Sequence, residues 1–154
     1  MVDPAETIVG QRVALARQGR NPWLVARLKS SWVVMSDKQV VPGQLILLAD
    51  PVASSLNALA AAERAAFLSD MALVGDALLA ATDCVRVNYD ILGNTDPALH
   101  AHVVPRYSDE PEERRRMPIW LYDWSVAESF AEERHGALRL RLAAELGRLA
   151  STEG

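Results

Sequence analysis

The stretch NTDPALHAHVVPRY, residues 94–107, holds two of the chain's three histidines, His100 and His102, two positions apart. On an extended strand that spacing puts both imidazoles on one face. An imidazole with a reference pKa of about 6.5 is mostly neutral at pH 7 and keeps one bare ring nitrogen. Such a pair suits three employments: binding a metal, attacking an electrophile, or bonding to backbone and water at a sheet surface.

Metal binding asks for more ligands. Zinc would need about two beyond the pair, yet Val103, Val104, Pro105 and Arg106 follow it, and only His135 and Cys84 stand elsewhere as soft donors. No metal site and no cofactor is expected, apart from a divalent cation carried in on a substrate. Attack on a phosphoryl group fits the neighbourhood better. Gly93-Asn94-Thr95 offers backbone N–H groups, an amide and a hydroxyl within one turn, a nest-like arrangement suited to phosphate oxygens. The product would be a phospho-histidine link that water then cleaves. That chemistry requires an acceptor for the second ring nitrogen, to fix the tautomer, and donors for the equatorial oxygens.

The elements that must position these groups follow from periodicity. In ALHAHVV (98–104), Ala98, His100, His102 and Val104 share a face. In CVRVNYDI (84–91), Cys84, Arg86, Asn88 and Asp90 do. The turn-rich LGNTDP between them predicts an antiparallel pair, which would bring Arg86 and Asn88 towards the histidines. Upstream, LVARLKSSWVVMSD (24–37) reads as two strands around a Lys-Ser-Ser break, and VVPGQLILLAD (40–50) as a Pro-Gly turn feeding a third. Residues 32–35 and 45–49 are apolar enough to be covered on both faces.

Three helices complete the pattern. Asp3-Pro4-Ala5-Glu6 reads as a capping box opening a helix that runs to about Gln18. Residues 60–81, with Phe67, Met71, Val74 and Leu78 at helical spacing, form a core-facing helix. Ser125-Val126-Ala127-Glu128 reads as a second capping box, opening a helix striped by Leu138, Leu142, Leu146 and Leu149. Strands with end-lying helices predict an α+β fold.

Composition narrows the classes. A chain of 154 residues, half of them hydrophobic, predicts one folded domain spanning 1–154. No apolar run reaches the roughly 20 residues of a membrane helix, MVDPAETIVGQ lacks the build of a signal peptide, and one cysteine forms no internal disulfide. A cytoplasmic protein with no membrane attachment is expected. The net charge of −4 argues against a nucleic-acid-binding surface but leaves room for a small anionic ligand.

The run PALHAHVVPRY resembles the signature of the histidine triad superfamily of nucleotide hydrolases and transferases, three histidines alternating with apolar residues and often followed by Pro-Arg. WVVMSDKQVVPGQLILLADPVASSLNAL is similar to the nucleoside-binding half of that family, so the likeness spans about residues 24–106, with a helical extension over about 125–150. It implies a sheet with flanking helices, assembled as a homodimer with sheets joined side by side. It also implies nucleotides as small-molecule substrates, dinucleoside polyphosphates such as diadenosine tetraphosphate foremost. The resemblance makes His100 the nucleophile and His102 a phosphate contact. It assigns Asn94 and Thr95 to phosphate, Asn88 to the site lining, and Ser36 or Asp37 to the ribose.

One position departs from the pattern: Ala98 stands where the first histidine belongs. In the family a backbone carbonyl near that position accepts from the nucleophile's second nitrogen, and a carbonyl survives the replacement. The lost side-chain hydrogen bond is worth about 1 to 3 kcal/mol, a handicap of roughly ten- to a hundredfold in rate. A nucleotide-binding protein without useful turnover is the competing reading. Arg114, Arg115 and Arg116 form either a clamp for the far end of a polyphosphate or a solvated, self-neutralising loop. Arg106 suits either a phosphate or a structural partner. His135 and Cys84 read as packing residues, and Trp32, Trp120 and Trp124 as core or dimer contacts.

Overall fold

A computed structural model describes residues 2–152. After a 3-10 turn at Pro4–Glu6, helix α1 spans Ile8–Arg17. Strands β1 (Leu24–Arg27), β2 (Ser31–Met35), β3 (Lys38–Gln39) and β4 (Leu45–Ala49) precede helix α2 (Ala61–Ala81). Strands β5 (Arg86–Asp90) and β6 (His100–Arg106), a short helix α3 (Glu112–Arg115), strand β7 (Glu128–Ser129) and helix α4 (Glu132–Thr152) follow. The fold is α+β, as the element pattern predicts.

The main sheet has five strands in the order β1-β2-β4-β6-β5, each antiparallel to its neighbours. Alternation along β4 sends Leu45, Leu47 and Ala49 to one face and Ile46 and Leu48 to the other, and all five are buried. The first face packs on α2 and α4 through Phe67, Val74, Leu78, Leu142 and Leu146. The second meets α1 through Val9 and Val13. Between β3 and β4 the Pro-Gly turn places Gly43 at φ +89°, a left-handed conformation that excludes most side chains.

Two helix starts differ from expectation. Asp3 caps only the 3-10 turn, accepting from the Ala5 N–H, while Thr7 caps α1 by accepting from Gly10. Ser125-Val126-Ala127-Glu128 opens no α-helix: Trp124–Val126 is a 3-10 turn capped by Asp123, and Glu128 lies in β7, paired with Gln39. Helix α4 begins four residues later, at Glu132. A long-range pairing with β3 overrides the local capping preference.

Residues 107–126 cross the second face of the sheet as a strap, and Arg106 fastens it. Its guanidinium donates to both Glu110 oxygens, Asn88 Oδ1, the Tyr122 hydroxyl and the carbonyls of Arg114 and Met117, at 2.7 to 3.1 Å. Burial opposes a charged Glu110, but hydrogen bonds from Arg106, Tyr122 and the Tyr107 N–H hold its carboxyl below the usual range. Replacing one member of a buried pair strands the other charge, at about 3 to 5 kcal/mol. Arg106→Leu is therefore expected to lower unfolding free energy by about that amount and to open the strap to proteolysis, both measurable by urea titration and limited digestion.

Candidate active site

Strand β6 carries the histidines between two partners. Its register sets His100 beside Leu48 and His102 beside Ile46 on β4, and His102 beside Asp90 on β5. Alanine 101 and Val103 point into the core while His100 and His102 emerge on the α1 face. The predicted antiparallel pairing of β5 and β6 is present, but its register corrects the expectation for Arg86 and Asn88. Arg86 lies opposite Arg106 and Asn88 opposite Val104, leaving Asp90 across from His102.

His100 is buried, 9 % exposed, and its Nδ1 lies 2.7 Å from the Ala98 carbonyl oxygen. A carbonyl only accepts, so Nδ1 carries the hydrogen and Nε2 of the neutral ring is bare. The Ala98 backbone thus orients the His100 ring without help from a side chain. Ala98 itself is fully buried in the cluster of Val9, Val13, Ile46 and Leu48.

His102 sits edge-on to His100, with centroids 5.3 Å apart, and edge-on to Trp120 at 4.7 Å. Burial, then the neighbouring His100 and Arg12, push its pKa down to about 4, against a smaller upward pull from Asp37. Its Nδ1 is buried and has no hydrogen-bond partner among the described residues. An orphaned lone pair is less costly than an orphaned N–H, which places the hydrogen of the neutral ring on Nε2. One imidazole therefore presents a bare nitrogen and the other a donor.

The turn holding Asn94 and Thr95 is shaped by Gly93 at φ +73° and leaves both side chains exposed. Asp96, which sequence reasoning passed over, ties this turn to the start of α1: its carboxylate accepts from the N–H groups of Val9 (2.9 Å) and Ala98 (3.0 Å). Ser36 is buried in the β2–β3 connection, its N–H on the Gln44 carbonyl. Asp37, half-exposed, pairs with Arg12 at 3.1 Å. Asn88 gives its side-chain oxygen to Arg106, which withdraws both from the histidines.

Trp120 also escaped the sequence as a site residue. Its indole N–H donates to Asp90 Oδ2 at 3.2 Å, and its ring stacks on Trp124 with centroids 5.1 Å apart. Trp32 instead donates to Asp50, and His135 Nδ1 accepts from the Ala131 N–H at the start of α4. Arg115 and Arg116 are exposed, the latter paired with Glu112. Among the described residues, no group of three or more His, Cys, Asp or Glu side chains is placed to hold a metal ion.

The fold is shared with solved histidine triad proteins. One from Sinorhizobium meliloti 1021 is 25 % identical, with a TM-score of 0.67 over 86 % of this chain and 93 % of its own. One from Marinobacter aquaeolei VT8 is 19 % identical, with a TM-score of 0.70 over 82 % and 89 %. A hypothetical histidine triad nucleotide-binding protein from Sulfolobus tokodaii strain7 is 11 % identical, with a TM-score of 0.70 over 90 % and 93 %. No family model and no curated protein sequence matches the chain.

Between pH 6.5 and about 4 the unfolded chain binds a proton at His102 that the folded protein refuses. Stability therefore falls as pH drops through that window, by about 3 kcal/mol in total. His102→Gln is expected to flatten the dependence of unfolding free energy on pH between 4 and 6.5. Parallel profiles for variant and wild type would contradict a buried neutral ring.

Proposed function

We propose that this chain is a histidine triad protein that hydrolyses or transfers at the α-phosphate of nucleotides through a nucleotidyl-His100 intermediate. The observation that carries this reading is the 2.7 Å contact between His100 Nδ1 and the Ala98 carbonyl, which leaves Nε2 free as nucleophile. In the first step Nε2 attacks the α-phosphorus, the P–O bond to the leaving group breaks, and the new imidazolium keeps its Nδ1–H on the carbonyl. In the second, water attacks the same phosphorus and loses a proton to solvent, the P–N electron pair returns to Nε2, and the nucleoside monophosphate leaves. His102 donates to a phosphate oxygen from a site dry enough to strengthen that bond.

Asn94 and Thr95, exposed in the turn that leads towards β6, serve as further phosphate contacts, and Asp37 with Ser36 marks the ribose end. Dinucleoside polyphosphates are the substrates we favour, with any divalent cation arriving on the substrate. The protein works in the cytoplasm as a homodimer. Val85 and Tyr89, both exposed on or beside edge strand β5, support a side-by-side junction of sheets. Chromatography with light scattering tests that assembly.

Ala98, fully buried in place of a histidine, favours one competing reading, a binder without turnover. Incubation with diadenosine tetraphosphate separates the two. Wild type is expected to release mononucleotide, and His100→Ala to lose at least about a thousandfold in rate while still binding nucleotide. Binding without release in both proteins would favour the binder.

A further inference from the structure

Arg12 has no part in the steps above, yet it stands at the site. It lies in α1 between Val9, whose N–H is held by Asp96 of the phosphate turn, and Val13, which packs with Ala98. Its guanidinium lies over the Trp23 ring, 4.8 Å from the centroid, and pairs with Asp37 at 3.1 Å. The Arg12 side chain is 16 % exposed and the Asp37 side chain 48 %. Both charges are felt at His102, Asp37 favouring its protonated form and Arg12 opposing it. Arg106, on the strand that carries the histidines, has its donors committed to Glu110, Asn88, Tyr122 and two carbonyls.

We propose that Arg12 is the specificity-determining counter-ion for the phosphoryl group, neutralised by Asp37 in the free protein and exchanged onto phosphate when an anionic ligand fills the cleft. The inference rests on the reading of the cleft as a nucleotide site. A planar guanidinium held against an indole face changes partner by moving the end of one flexible side chain. The anion it leaves, Asp37, is half-exposed, so water and the ribose hydroxyls take it up at little cost. The anion it gains sits against the neutral His102 ring in a drier place, where a charge-assisted hydrogen bond is stronger. A neutral nucleoside brings nothing to exchange, so the pair selects phosphorylated ligands over their nucleosides.

Calorimetry of AMP and adenosine binding to the full chain tests this through the ratio of the two affinities. Asp37→Asn removes the competing anion, and the preference for AMP is expected to rise severalfold. Arg12→Leu is expected to cut that preference by about tenfold or more, the worth of a charge-assisted hydrogen bond, and Arg12→Lys to restore part of it. A structural role alone would weaken both ligands together and leave the ratio unchanged. An unchanged ratio in Arg12→Leu, or one that fails to rise in Asp37→Asn, overturns the proposal; should the leucine variant not fold, Asp37→Asn decides by itself. A wild type that turns over nucleotides while the ratio stays fixed sinks only the role of Arg12. A wild type that binds no nucleotide sinks the functional reading and the proposal with it.

Discussion

The backbone ladder on both sides of β6 is the constraint from which the rest of the structure follows. Because β4 and β5 each pair with it, the strand cannot slip by one residue without driving Ala101 and Val103 out of the core and two imidazoles into it. The hydrophobic effect thereby fixes a polar arrangement. The histidines face α1 because their neighbours must face α2 and α4. Their mutual position, edge to face at 5.3 Å, comes from the pleat and needs no bond between them.

Charge is handled sparingly around the pair. The positive group nearest in sequence, Arg106, is spent on holding the strap, and burial keeps His102 neutral. A site built this way presents an oriented ring N–H and a bare ring nitrogen side by side, and keeps full positive charge at its edge, where Arg12 meets Asp37. The proposed nucleophile, His100, would profit from that economy, since a neutral imidazole has a lone pair to offer and an imidazolium has none. The Ala98 carbonyl adds the remaining requirement, orientation, and needs no ionisable group to do so.

Much of this was legible in the residues. Alternation placed His100 and His102 on one face, the Pro-Gly turn and the apolar runs gave β2 and β4, and the leucine stripe gave α4. Both capping boxes misled, because a cap is a local preference of about 1 kcal/mol and the strand pairing of Glu128 with Gln39 outweighs it. Register lay out of reach: Asn88 and Asp90 share a face in the sequence, and only the ladder decides which meets His102. Arg12 and Trp120 left no signal. Each reaches the site through tertiary packing across more than 15 residues of chain from His102, and neither belongs to a local motif.

The manner in which the strap is fastened bears on how this protein can diverge. Arg106 grips the segment partly through the main-chain carbonyls of Arg114 and Met117, and every amino acid supplies a carbonyl. The side chains between those two points are therefore free to drift, lengthen or change sign without loosening the cover over the sheet. A lineage can rewrite that segment alone and change the surface beside the imidazoles, leaving them and the core that holds them untouched.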